Sequence, residues 1–167
     1  ALLKASILAD DPVVYMEHKN LWDLAGDVRE GVEIALGEAR IARAGDACTI
    51  VSWSAQAHVA LAAAKMLAGE GIAAEVIDLR TLWPWDEAAV AASVAKTGRL
   101  IVTHEAVGVG GFGGEIVATI AEKHFDALKR PPVRLAAPRI PISYAPGLEN
   151  QVRVTAAQIF ATVKAMG

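Results

Sequence analysis

The chain has 167 residues, enough for one domain with a sizeable core. Its apolar fraction is 54% and its net charge −3, which gives no electrostatic case for nucleic acid or an anionic membrane as partner. A single cysteine, Cys48, excludes an internal disulfide and a cysteine-based zinc site, and no apolar run is long enough to cross a bilayer.

In chain order, residues 1–9 read as the end of a helix belonging to something upstream. Residues 1–12 are therefore expected to close an upstream domain or linker, and 13–167 to form one α/β domain. Residues 13–16 are a short apolar run between Asp10-Asp11-Pro12 and Glu17-His18-Lys19, and read as a strand. Residues 19–37 carry Gly26, Gly31 and Gly37 in mixed polarity and read as a long connecting loop. Residues 38–43 alternate charged and small apolar side chains, as a half-exposed strand does.

A regular rhythm follows. Residues 49–53 are apolar and β-branched; Ser54 is placed as the N-cap of a helix running to about Ala68 and stopped by Gly69 and Gly71. A strand at 74–79 precedes a helix capped by Asp86, with Val90 and Val94 on one face and Gly98 as its stop. A strand at 100–103, a glycine-rich turn, a helix over 114–128, a strand at 133–136 and a last helix over 148–166 complete the series. Strand and helix in alternation predict a parallel sheet covered on both faces, and the almost wholly apolar strand cores agree. The helix after Ser54 carries Ala55, Ala57, Val59, Leu61, Ala63, Met66 and Leu67 and is apolar nearly all round. Such a helix needs cover on more than the sheet side, so a partner surface is predicted.

Ligands of open parallel sheets favour the carboxyl ends of the strands, where this sequence places Ser52, Ser54, Asp78, Arg80, Thr81, His104 and Glu105. Three readings compete. Ser54, Asp78 and His104 follow the order of an α/β-hydrolase triad, but the Gly-x-Ser-x-Gly elbow is missing and Trp53 stands where the turn is tightest. Gly108-Val109-Gly110-Gly111-Phe112-Gly113 matches the G-x-G-x-x-G fingerprint, and amides at such a helix start can hold a phosphate. Against it, residues 104–107 separate the expected strand from the first glycine, and the next strand ends at Pro138-Arg139 rather than at an acid. The third reading is structural: an Asp78-x-Arg80 pair and a His104-Glu105 pair satisfy each other and, with Gly110, Gly111 and Gly113, line a subunit contact. His18, His58, His104 and His124 lack metal-ligand spacing. Trp83-Pro84-Trp85 reads as a plug in a hydrophobic seam, and the mildly basic stretch 123–134 as a solvated helix end.

Read as whole phrases, several segments carry a family resemblance. They are Leu2-Leu3-Lys4-Ala5, the run Pro12-Val13-Val14-Tyr15-Met16-Glu17-His18-Lys19-Asn20-Leu21-Trp22, Leu36-Gly37-Glu38-Ala39, Gly45-Asp46 and Thr49-Ile50-Val51. The strongest is Ile77-Asp78-Leu79-Arg80-Thr81-Leu82 with Pro84 and Asp86, followed by His104-Glu105-Ala106 and Gly110-Gly111-Phe112-Gly113-Gly114-Glu115-Ile116. Together they resemble, over the entire chain and in order, the C-terminal domain of the β subunit of thiamine-diphosphate-dependent 2-oxo acid dehydrogenases of the pyruvate, branched-chain and acetoin type. In the family pattern the phrase at 110–115 recurs, while 107–109 is a variable spacer. One loop departs from the pattern: Arg139 stands at an acidic position and Ser143 at a proline, while Pro141 and Tyr144 are kept.

The resemblance implies a three-layer α/β/α fold, similar to the transketolase C-terminal domain. Its mostly parallel sheet has about five strands, with one antiparallel, for which 38–43 is the expected choice. It implies an assembly role, pairing β subunits and helping to dock the complex on the acyltransferase core. The implied partners are a second copy of the chain, the α subunit and the subunit-binding domain of that core. Thiamine diphosphate and magnesium belong to the whole enzyme. The chain has no Gly-Asp-Gly motif, so no catalytic, cofactor-binding or metal-binding residue is carried over to it. A cytoplasmic location, or the mitochondrial matrix in a eukaryote, is the implied compartment. The alternative is a free-standing nucleotide- or anion-binding module using the loop at 108–115.

Overall fold

A computed structural model describes residues 1–27 and 31–167. The elements are α1 (Leu2–Ile7), β1 (Arg40–Arg43), β2 (Cys48–Ser52), α2 (Ala55–Ala68), β3 (Ala74–Asp78), α3 (Glu87–Thr97), β4 (Leu100–Val107), α4 (Gly113–Lys123), β5 (Val133–Ala137), α5 (Pro146–Val152) and α6 (Ala156–Ala165). The sheet runs β1-β3-β2-β4-β5; β1 is antiparallel to β3 and the remaining pairs are parallel. The expected five-stranded, mostly parallel sheet with its antiparallel strand at 38–43 is thus the one formed.

Side-chain alternation along the strands divides the core into two layers. Ile50, Val76 and Ile101 join Ala60, Ala63, Ala64 and Leu67 of α2 and Ile159 and Val163 of α6 on one face. Val51, Ile77, Leu100 and Val102 join Val90 and Val94 of α3 and Ile116 and Ile120 of α4 on the other. Small alanines let α2 lie close to the sheet while α6 packs on its flank. Much of the cover that the apolar α2 requires is therefore supplied by α6 of the same chain. Of the apolar groups on α2, Met66 remains 44% exposed.

Four local expectations change. Residues 13–16 form no strand: they are extended and exposed, with Val14 and Met16 each 82% accessible. Ser54 precedes α2 but its hydroxyl caps nothing, because its φ of 55° turns the side chain away from the helix start. The helix expected over 114–128 is α4, ending at Lys123, and a short 3-10 turn at Phe125–Ala127. The helix expected over 148–166 is two helices. They are parted where Thr155 opens α6 with a reciprocal capping box, accepting from Gln158 N–H while the Gln158 side chain accepts from Thr155 N–H. By contrast Asp86 caps α3 through Ala89 N–H, and Gly98 closes it in the left-handed region.

The segment before β1 crosses the carboxyl edge of the sheet. His18 Nε2 lies 2.9 Å from Glu105 Oε2 at the end of β4, and Gly37 N–H donates to Thr81 Oγ1 at 3.0 Å beyond β3. The part at 28–30 lies outside the described residues.

Candidate functional site

Helices α2 and α4 leave β2 and β4 on opposite faces of the sheet, and β3 and β5 lie on opposite sides of that pair. The crevice between the carboxyl ends of β2 and β4 is therefore the topological switch point, the favoured ligand position of open α/β sheets. The residues arriving there are Trp53 and Ser54 from β2, and His104 and Glu105 from β4.

His104 is fully buried and stacks on Trp53, ring centroids 5.2 Å apart, with Phe112 closing on Trp53 edge-on at 6.2 Å. Neither imidazole nitrogen makes a hydrogen bond of good geometry among the described residues, the Ala106 backbone offering only a looser contact. Burial holds the ring below the ordinary histidine pKa; the Ala106 backbone opposes this and the Arg134 charge reinforces it. His104 is therefore a neutral ring at pH 7. Two glycines make room for it. A Cβ on Gly113 would stand 2.5 Å from His104 Nε2, and one on Gly111 would stand 2.6 Å from Cε1.

Glu105 points to the opposite side, out of the core. It takes His18 at 2.9 Å and Arg153 at 3.8 Å, and Arg153 in turn holds Glu149 at 3.2 Å. His104 and Glu105 thus do not satisfy one another, because neighbours on a strand face opposite ways. Asp78 pairs with Arg40 of β1 at 3.2 Å rather than with the Arg80 side chain, and accepts from Arg80 N–H at 3.3 Å. Arg80 sits in a γ-turn at φ 61°, across which Thr81 N–H reaches Leu79 C=O at 2.6 Å. The hydrolase triad does not assemble: Asp78 is engaged by Arg40, and His104 has neither acid nor hydroxyl on its nitrogens. Burial pushes the Cys48 thiol up to about 11, which leaves it no nucleophile.

The glycine loop is placed differently from expectation. Strand β4 continues to Val107, so Gly108 follows the strand directly and Gly113 opens α4. The separation inferred between strand and first glycine does not exist. Residues 104–107 include polar side chains, which made them read as loop, yet their backbone stays in the ladder with β5 through Val107↔Ala137. An open cleft of about 500 Å3 lies against this loop, lined by Trp83, Gly110, Gly111, Phe112, Gly114, Glu115 and Arg134. Trp83 is not a plug but an 81% exposed indole, whereas Trp85 is half-buried against the α3–α4 core. Arg134 is not part of a solvated helix end: it stands on β5 and donates to Gly108 C=O at 2.9 Å. The roles of Trp53, Phe112 and Arg134 come only from the meeting of separate strands and loops. Among the described residues no group of three or more His, Cys, Asp or Glu converges as a metal site requires.

Residues 37–159 match the family described as transketolase, C-terminal domain. The chain belongs to that family. As a transketolase C-terminal domain, it is 43% identical over 98% of its length to the acetoin:2,6-dichlorophenolindophenol oxidoreductase subunit beta of Cupriavidus necator, 48% of which it covers. It is 46% identical over 80% of its length to the mitochondrial 2-oxoisovalerate dehydrogenase subunit beta 2 of Arabidopsis thaliana, 38% of which it covers. Among solved structures it is similar to a split-gene transketolase described as an inactive beta4 tetramer. The TM-score is 0.71 and the identity 26%, covering 86% of this chain and 45% of that one. The domain spans about half the length, or less, of the curated relatives it matches. No helix of the described residues is long and apolar enough to cross a membrane.

Proposed function

We propose that the chain is the carboxyl-terminal part of the β subunit of a 2-oxo acid or acetoin dehydrogenase, and that its own work is assembly. The observation that carries this reading is the match to β subunits along 98% of the chain at 43% identity. Substrate choice and chemistry are assigned elsewhere in the whole enzyme. Thiamine diphosphate and magnesium are assigned to that enzyme outside these residues, because the sequence has no Gly-Asp-Gly and, among the described residues, no three or more His, Cys, Asp or Glu converge as a metal site requires. No catalytic step is therefore routed through this domain.

Exposed apolar side chains concentrate in two stretches, Val14, Met16, Trp22 and Leu24 in the crossing segment and Ile140, Ile142, Tyr144 and Leu148 after β5. Monomeric surfaces rarely gather so many large apolar groups without a partner. The reading gives them to a second copy, the α subunit and the acyltransferase core's subunit-binding domain, with 1–12 as the link to an upstream domain. The polar edge of Asp78, Arg80 and Glu105 and the loop at Gly110, Gly111 and Gly113, supported from beneath by the buried His104, is assigned to that face. The compartment is the cytoplasm, or the mitochondrial matrix in a eukaryote.

Sedimentation equilibrium of the 167-residue chain at tens of micromolar tests the pairing; a dimer is expected, and a monomer overturns it. Co-expression with an α subunit and the amino-terminal half of a relative's β subunit, as separate polypeptides, tests the rest. Thiamine-diphosphate-dependent turnover of acetoin or a 2-oxo acid is expected only when all three are present, and turnover indifferent to this chain contradicts the reading.

A further inference from the structure

We infer that His18 is a proton-operated pin in the segment that crosses the carboxyl edge of the sheet. Uncharged, it fastens both the 3-10 turn at Lys19–Leu21 and the body of the domain; charged, it keeps the body and lets go of the turn. This goes beyond the assembly reading and does not depend on it. From Asp10 to Asp27 every residue is exposed except His18 and Leu21, so the segment rests on the body at one short turn. His18 stands at the head of that turn and Leu21 at its end, with Leu21 N–H donating to His18 C=O at 2.9 Å.

The two ring nitrogens serve different elements. Nδ1 accepts from Asn20 N–H at 3.2 Å, which caps the turn, and Nε2 lies 2.9 Å from Glu105 Oε2 on β4. An imidazole nitrogen that accepts carries no proton, so the uncharged ring bears its single proton on Nε2 and donates it to the carboxylate. Both contacts are thus satisfied with no charge on the ring. A second proton can go only to Nδ1. There it meets Asn20 N–H, donor against donor, and the cap is lost. The bond from Nε2–H to Glu105 strengthens at the same time, because it becomes charge-assisted.

The surrounding charges permit both states. Glu105 of β4 faces the imidazole. Arg153, beyond α5, shares that carboxylate at 3.8 Å and is itself held by Glu149 of α5 at 3.2 Å. Glu17 and Lys19 flank the ring in the chain. Arg153 already balances Glu105, so the carboxylate does not require a charge on His18. The His18 side chain is 25% accessible, and a proton reaches it without unfolding. What the proton changes is the part that follows the turn. Trp22 N–H donates to Lys19 C=O at 3.1 Å and Leu24 N–H to Leu21 C=O at 3.2 Å, so the exposed Trp22 and Leu24 side chains are presented by the capped turn.

The test follows the 167-residue chain by NMR from about pH 8 to about pH 5, the range in which histidine changes charge. At the upper end the His18 ring is expected in its Nε2–H form. As pH falls, the Asn20 amide is expected to lose at least about twofold in exchange protection, the small end of a lost cap. Protection is taken relative to the unstructured-chain rate at each pH, and its midpoint is expected to match that of the His18 ring signals. His18→Asn offers a side-chain oxygen to the same amide and no titrating ring, and is expected to hold the protection constant. A neutral His18 ring protonated on Nδ1, Asn20 protection unchanged through the ring's titration, or the same loss in His18→Asn overturns the pin.

Discussion

The α3–α4 face of the sheet buries two polar sets, one at each end, under opposite conditions. At the amino end, Thr49 Oγ1 meets Ser93 Oγ at 2.6 Å and Thr97 Oγ1 at 2.8 Å, and the Glu75 carboxylate takes Lys96 at 2.5 Å and Gly45 N–H at 3.3 Å. At the carboxyl end of the same face, His104 is enclosed by Trp53, Phe112 and two glycines with no well-formed hydrogen bond on either nitrogen among the described residues. The first set is held by hydrogen bonds and the second by shape. A closed network stabilises a fold, whereas an enclosed ring without well-formed hydrogen bonds costs desolvation.

The contrast breaks most visibly at the glycines. Gly113→Ala drives a Cβ to 2.5 Å from His104 Nε2 and is expected to destabilise by about 3 kcal/mol as overpacking. The double variant with His104→Ala is expected to recover part of that loss in urea unfolding; simple additivity would show that the ring is not what the glycine accommodates.

At the other end, Glu75→Gln removes a buried carboxylate from a half-exposed lysine and is expected to cost about 2 kcal/mol. Burial raises the Glu75 pKa, but Lys96, Ser93 and the Gly45 amide together outweigh it and hold it below the usual glutamate value. Its contribution is therefore present above the unfolded-state pKa, about 4.3, and disappears as pH falls through the lower folded value. The difference between wild type and variant is expected to be constant near neutrality and to vanish in acid. A gap that persists in acid would assign the loss to packing.

His104→Leu inverts the expectation: removing nitrogens without well-formed hydrogen bonds is expected to change stability by less than about 1 kcal/mol, or to raise it. Because the folded pKa of His104 is depressed, the unfolded chain binds the proton first. The neutral ring's contribution is intact above about pH 6.5 and is lost as pH falls through the folded value. The leucine variant is expected to lose stability less steeply below that pH, and parallel curves would mean that the ring titrates in the native state as it does in the unfolded chain, with no depression of its pKa.

The smallest effect lies one residue away. Glu105→Gln releases His18 and Arg153, all three partly exposed, and is expected to cost no more than about 1 kcal/mol, less in high salt. Its clearer signature is faster proteolysis within the exposed stretch at 13–16; unchanged cleavage would show that the crossing segment is held elsewhere.

Much of the architecture was legible in the residues because it rests on local chemistry. Alternating apolar strands, Asp86 as cap, and Gly98 as stop are decided within a turn or a pleat, and their elements appear within a few residues of expectation. The failures share a cause. Residues 13–16 have strand composition but pair with neither edge strand of the sheet, and residues 104–107 have loop composition but are held in register by β5. The break at 153–155 depends on a capping box that ends one helix by starting another.

The sequence by itself determined the layered α/β class, the family phrases and the polar character of the strand ends, since periodicity and glycine placement act over short range. Only the tertiary structure decided which of those polar groups meet. Asp78 went to Arg40, Glu105 to His18 and Arg153, and His104 to Trp53 and the glycines, because partners tens of residues apart are chosen by strand order and by the face each side chain must take.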